Sequence, residues 1–272
     1  MISSEIVYNA LKRPNLSSVL FYMMGTLILI LSCVYAYWGP DPNYGIVSER
    51  LLSPNFFHLC GTDQFGRDIL ARIIAGAKVT FTSALCAVLI SFGVGLPLGV
   101  MAGMSGGKID AGLMLLVDIL ASIPELLLAL SILALLGSGL YNVAIAVGVS
   151  QIALFMRLTR NEVLFLKQKP FIITAYDIGG RFGSVFWRHY LPNGMPPSVS
   201  LLILKFSSAI LSISTISFLG YGPTPPTAEW GLMIAEGRNY IATAWWLSAF
   251  PGFSIVCLVI ILHALSIRIA KK

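Results

Sequence analysis

Six stretches of the chain are apolar enough and long enough to cross a bilayer: about 18–38, 78–103, 110–136, 139–157, 196–219 and 245–267. Crossing roughly 30 Å of hydrocarbon takes about 20 helical residues, and in lipid the backbone polar groups must be satisfied inside the segment, so helices are expected. Gly137-Ser138-Gly139 separates the third stretch from the fourth as a turn signal. The pattern predicts an all-α polytopic membrane protein of six transmembrane helices. One segment breaks it. Residues 170–193, PFIITAYDIGGRFGSVFWRHYLPN, carry Asp177, Arg181, Arg188 and His189, a Gly pair, and Leu191-Pro192 near the end. Phe171, Ala175, Ile178 and Phe182 recur there at about helical spacing. That gives an apolar face with no membrane to bury it, the pattern of a helix that lies in a partner's groove.

Charge orients the spans. With the N-terminus inside, twelve Lys and Arg fall inside, five (Arg50, Arg67, Arg72, Lys78, Arg238) fall outside, and Lys205 lies within a span. Cytoplasmic loops carry the excess of Lys and Arg, so both termini and the 170–193 segment are expected in the cytoplasm. The expected organisation is a cytoplasmic segment 1–17, a first helix and outer loop 18–77, a five-helix core 78–267 with a cytoplasmic loop 158–195, and a tail 268–272. The first apolar run has no small-x-small cleavage site after it and reads as an uncleaved span. Only 11% of residues are charged and 57% are hydrophobic, against about 25% charged in soluble domains. The net charge of +6 therefore follows topology rather than nucleic-acid binding, and the outer segments hold six acids.

Candidate chemistry is sparse. In the outer loop, Gly61, Thr62, Asp63, Gly66, Arg67 and Asp68 suggest a tight turn and a helix start capped by Asp68 or Thr62. The alternatives are a turn tied by local ion pairs and a substrate gate. Gly93, Gly95, Pro97 and Gly99 in the second span fit close helix packing or a hinge. The third span holds Asp118 and Glu125 around Pro124. Two helical turns separate the carboxyls, which puts them on one face, for structural pairing or to line a cavity. Lys205 either snorkels or pairs with Asp118. The fifth span contains Ser207, Ser208, Ser212, Ser214, Thr215 and Ser217, suited to interhelical bonds or a polar pathway. The pathway candidates are Asp118, Glu125, Ser208, Ser212 and Thr215. There is no GxxxxGK[ST], HExxH or CxxC. His58 and Cys60 are too few to make a metal site. No catalytic or metal-binding residue is expected, and the energy for any transport must come from a partner.

The segment GTDQFGRDI, Gly61–Ile69, resembles the GTDxxGRD signature of the C-type permease subunit of binding-protein-dependent ABC importers for peptides and nickel. The likeness continues through the Asp118-to-Pro124 spacing, GLYNVAIA (139–146), RLTRNEV (157–163), RHYLPN (188–193), SFLGYG (217–222) and PTAEWGLMI (226–234). It implies a type I ABC importer permease fold in the bacterial cytoplasmic (inner) membrane. It also implies a homologous second permease subunit, two cytoplasmic ATPase subunits that bind ATP and Mg, and an extracytoplasmic substrate-binding protein. No cofactor is implied in this chain itself.

In such permeases the loop between the fourth and fifth spans carries the EAA motif, a coupling helix that docks on the ATPase. Carried over, the coupling residues are Phe171, Ile172, Ile173, Thr174, Ala175, Ile178, Gly179, Phe182, Leu191 and Pro192. Ile173 stands at the glutamate position of that motif. Lys205 stands where many relatives have an acid, and Glu125 where a small polar residue is common. PTAEWG and RLLSP (50–54) resemble the nickel and metallophore branch, whereas peptide permeases often read PTPSWG. The resemblance thus implies nickel, as ion or chelate, with dipeptides or oligopeptides as the alternative. An ATPase-independent channel or secondary transporter is the alternative of another class. A membrane-embedded enzyme would lack a nucleophile–base pair.

Overall fold

The computed structural model describes residues 39–270; the predicted first span 18–38, the segment 1–17, Lys271 and Lys272 lie outside the described residues. The described chain is helical: α1 (Ile69–Ser105), α2 (Gly107–Ala121), α3 (Glu125–Leu136), α4 (Leu140–Lys167), α5 (Pro170–Asp177), α6 (Phe182–Val185), α7 (Leu191–Ile216), α8 (Trp230–Gly237) and α9 (Trp246–Ala270). One π-helical stretch, Phe186–Tyr190, leads into α7 and another, Ser217–Tyr221, leaves it. Among the described residues α1, α4, 199–221 and α9 are each long and apolar enough to span a membrane, and α2 with α3 qualifies only as a bent pair.

Two predicted spans are corrected. The second begins at Ile69 and not at 78. Arg72 and Lys78 lie within this helix, and Arg72 turns inward and is 1% exposed. The third span is broken, with α2 and α3 meeting at 87°. Pro124 is the cause. It has no N–H to give and its ring disfavours a helical residue before it; its own backbone is extended, at φ −53° and ψ 134°. Asp118 and Glu125 consequently lie on different helices and share no face.

α4 is the central helix, with 61% of its apolar window buried, and α9 is peripheral at 17%. α4 runs parallel to α1, and the two approach closely along Gly95, Gly99 and Gly103. A Cβ at Gly99 would sit 2.6 Å from the Met156 carbonyl oxygen, and one at Gly103 would sit 2.7 Å from the Val163 Cβ. Small residues four apart let two backbones pack without a driving force from water. Gly93 has open space around it, so its role is not this packing. The main core is Val88, Leu133, Val143, Val147, Ile210, Ile213 and their neighbours, where α1, α3, α4 and α7 meet.

Gly99→Leu is expected to abolish the stable fold, since overpacking against a backbone carbonyl cannot relax through a rotamer. Gly93→Ala is expected to leave it intact. Size-exclusion profiles of the two detergent-purified variants check this.

Candidate functional sites

Three groups of residues carry the candidate function. The first is at the loop end, where residues 45–68 fold back on themselves. Gly66 takes φ +76° and lies so close to Ile46 that a Cβ would be 1.9 Å from its carbonyl oxygen. The turn lets Asp63 accept from the backbone N–H groups of Phe65 (2.8 Å) and Arg67 (3.0 Å) and from Arg67 Nε (2.6 Å). Thr62 bridges the Leu52 N–H and the Glu49 carbonyl. Asp68 caps α1 by accepting from the Ala71 N–H at 2.8 Å.

Arg72, a turn into α1, extends the cluster. Its guanidinium lies 3.7 Å from Asp63 and 3.4 Å from Glu236, and it donates to the Pro42 and Pro226 carbonyls. Arg67 lies 3.8 Å from Glu236. Glu229 caps α8, accepting from the N–H groups of Gly231 (3.0 Å) and Leu232 (2.8 Å) and from the Thr80 hydroxyl (3.3 Å). Burial raises the carboxyls of both Glu229 and Glu236; for Glu229 the two backbone donors oppose the rise, and for Glu236 Arg72 and Arg67 do. Trp230 Nε1 bonds to the Ile73 carbonyl and Trp246 Nε1 to the Thr62 carbonyl. These contacts tie residues 42–72 to 226–246. The motif is thus a packed turn, but its ties reach α8 and are not local alone. Arg72 and Glu236 were missed as members of it; an Arg one turn into an apolar helix was the available signal.

His58 does not pair with Cys60 around a metal. Its Nδ1 lies 2.9 Å from Asp68 Oδ2 and its Nε2 lies 3.6 Å from Glu49. Burial, and then the Asp68 charge, pushes the Cys60 thiol up to about 11, so it stays protonated and is a poor ligand. Among the described residues no three His, Cys, Asp or Glu side chains are grouped to hold a metal ion.

The second group is the 170–193 segment. Pro170 starts α5 at a position where a missing N–H costs nothing. The helix ends after Asp177. Gly179, at φ +86°, donates to the Tyr176 carbonyl at 2.9 Å, and Gly180 donates to the Ala175 carbonyl at 3.0 Å. These are the two bonds of a Schellman motif. The predicted apolar face through Phe171, Ala175, Ile178 and Phe182 is therefore corrected, because helical spacing does not continue across Gly179-Gly180. Ile172 and Ala175 point inward and pack with Val163, Leu166, Val185 and Tyr190. The exposed apolar side chains are Phe171, Ile173, Tyr176 and, at the C-cap, Ile178; they flank the exposed Thr174 and Asp177 on both sides of the helix, and Ile178 is 81% exposed. Thr174 is exposed, Phe182 begins α6, and Leu191 and Pro192 form the first turn of α7.

The third group is within the spans. Asp118 pairs at 2.5 Å with Arg157; the Asp118 side chain is 67% exposed and that of Arg157 40%. Glu125 Oε1 accepts from Gln151 Nε2 at 2.9 Å and from Ser212 Oγ at 3.4 Å, and Lys205 Nζ lies 3.9 Å from Oε2. Lys205 is 6% exposed and pairs with Glu125, not with Asp118 and not by snorkelling. Ser208 and Thr215 donate to carbonyls of their own helix, at Leu204 and Leu211, on its open side. Gln151 was missed, although an amide in the middle of an apolar run marks a buried polar contact.

Residues 95–272 match the family described as the binding-protein-dependent transport system inner membrane component. The chain belongs to this family. It is a multi-pass protein of the bacterial cytoplasmic membrane and an ABC importer permease subunit. Among curated relatives it is 36% identical over 233 residues to the probable D,D-dipeptide transport system permease protein DdpC of Escherichia coli, covering 85% of this chain and 78% of that one. It is 36% identical over 255 residues to the dipeptide transport system permease protein DppC of Alkalihalophilus pseudofirmus, covering 93% and 83%. It is 34% identical over 230 residues to the nickel transport system permease protein NikC of Escherichia coli, covering 84% and 83%. The fold is similar to that of a chain in the inward-facing MetNI methionine ABC transporter, with a TM-score of 0.59 at 18% identity, covering 73% of this chain and 94% of that one.

Glu229→Ala removes the α8 cap and leaves two backbone donors and the Thr80 hydroxyl without their acceptor. Losing a cap costs about 1 kcal/mol and each buried unpaired group about 1–3 kcal/mol. The variant is expected to melt several degrees below wild type, measured by thermal unfolding of the purified chain in detergent, whereas Asp118→Ala is expected to change the midpoint by a degree at most.

Proposed function

We propose that this permease subunit forms half of an import pathway for short peptides, worked by two cytoplasmic ATPase subunits and paired with a homologous second permease. The observation that carries the reading is the set of exposed apolar side chains on α5 and its C-cap. Phe171, Ile173, Tyr176 and Ile178 stand out from a helix whose other side is anchored to the same chain. Large exposed apolar patches mark interaction surfaces, and a short helix presenting such a face fits a groove in a partner. ATP and Mg belong to that partner. In this reading 18–38 is the first of six spans and both termini are cytoplasmic, as the Lys and Arg bias supports.

At the opposite end an extracytoplasmic binding protein docks on 39–68 and 220–244. Phe56 and Phe57 are almost wholly exposed there, on a loop made rigid by the Asp63 cluster. Ser208, Ser212, Thr215 and Glu125 line the open side of α7, and the cargo passes between them and the second permease. Asp118 is tied to Arg157 and is not part of that lining. The peptide reading rests on the dipeptide permeases among the relatives, which align over most of this chain. Nickel is the second reading, favoured by PTAEWG and by the nickel permease relative. It requires a chelate, because one carboxylate between the spans cannot hold a bare ion.

Ile178→Asp is expected to cut ATPase co-purification at least tenfold without loss of membrane insertion. Ala175→Asp is expected to lower the yield of folded chain, because that position faces inward. Uptake in a deletion strain decides the cargo: loss of dipeptide uptake with intact nickel uptake supports the peptide reading, and the reverse pattern supports nickel.

A further inference from the structure

Glu125 is held asymmetrically. Oε1 takes both hydrogen bonds, from Gln151 and Ser212, while Oε2 receives none among the described residues. The cation nearest to Oε2 is Lys205 Nζ, at 3.9 Å, beyond hydrogen-bond range. The two partners also differ in access: the Lys205 side chain is 7% exposed and that of Glu125 is 34% exposed. The carboxylate is the member of the pair that an incoming molecule meets. Behind it, Gln151 is wholly buried, and its Oε1 has no hydrogen-bond partner. A second acceptor thus sits beside the first with its capacity unused.

An ionised carboxylate facing lipid is costly, and intramembrane acids turn to a cavity or a bundle interior. Glu125 faces the side of α7 that carries Ser208, Ser212 and Thr215. We infer that Glu125 Oε2 is a binding site for a primary ammonium group of the cargo, such as the N-terminus of a short peptide, with Lys205 as the internal cation that balances the carboxylate when the site is empty. Gln151 and Ser212 are positioning residues that fix the carboxylate and leave one oxygen free. A cargo ammonium reaching about 2.8 Å makes a charge-assisted hydrogen bond that the 3.9 Å contact with Lys205 does not. The inference rests on the peptide reading above and adds which end of the peptide is read and by which atom.

The test uses the assembled importer, with its second permease, ATPases and binding protein. In proteoliposomes, with the binding protein held saturated, wild type is expected to import Ala-Ala at least fivefold faster than N-acetyl-Ala-Ala. Glu125→Gln is expected to bring the two rates within twofold, and Glu125→Asp to restore the difference. A readout that bypasses the binding protein is the thermal midpoint of the detergent-solubilised complex. Glycinamide at millimolar concentration, an ammonium without a carboxylate, is expected to raise it for wild type and Glu125→Asp but not for Glu125→Gln, and N-acetylglycinamide to raise it for none. If wild type imports Ala-Ala but Glu125→Gln keeps the full discrimination, or glycinamide stabilises wild type and Glu125→Gln alike, the inference is wrong and the peptide reading stands. If wild type imports neither peptide, both fall.

Discussion

The buried charges of Asp63, Arg67, Arg72 and Glu236 are the constraint on which the rest of the fold depends. Their side chains are between 1% and 15% exposed, and two acids meet two bases, so the cluster is neutral. Removing one member from such a cluster leaves an uncompensated charge, which typically costs about 3–5 kcal/mol. The four members come from three local structures: the turn after Gly61 (Asp63 and Arg67), the start of α1 (Arg72) and α8 (Glu236). The cluster therefore holds the outer loop, the long helix α1 and the short helix α8 in one arrangement, and the caps from Asp68 and Glu229 depend on that arrangement.

From this fixed end α1 runs for 37 residues, roughly 55 Å at helical rise, to the end that carries α5. Close backbone contact along Gly95, Gly99 and Gly103 makes α1 and α4 a stiff pair. α5 hangs from that pair through Ile172 and Ala175, and the Schellman turn at Gly179-Gly180 stops it after two turns. The buried side of α5 packs against Val163 and Leu166 of α4, and Gln151 of the same α4 holds Glu125. Contacts along α4 thus run from α5 to the carboxylate between the spans, and the buried charges fix the far end of α1.

Much of this was legible in the residues. Apolar length gave the helical spans within the described residues, and the turn residues of GTDQFGRD marked the start of α1 in its neighbourhood. Where the reading failed, it failed for physical reasons. Arg72 was placed in the outer loop, and its pairing with Glu236, 164 residues away, is one that no local pattern reveals. Pro124 stands where the third predicted span bends by 87°, since nothing repairs the helix across Ser122-Ile123. Spacing alone chose Ala175 for the outward face of α5. The choice between Ile172 with Ala175 and Phe171 with Ile173 depends on where α6 and the 186–190 stretch return, which is a tertiary matter. The Glu125–Lys205 contact was hidden by the same break at Pro124, which removed Asp118 from reach.

The central claim is that the outward face of α5 is where this permease receives work from another subunit. The most direct measurement is site-specific photo-crosslinking in intact membranes, with a photoreactive amino acid placed at Ile178 in the assembled importer. The account predicts one dominant adduct to an ATPase subunit, lost when the ATPases are not expressed. Adducts only to lipid or to the permease itself, equally abundant with and without the ATPases, would contradict it.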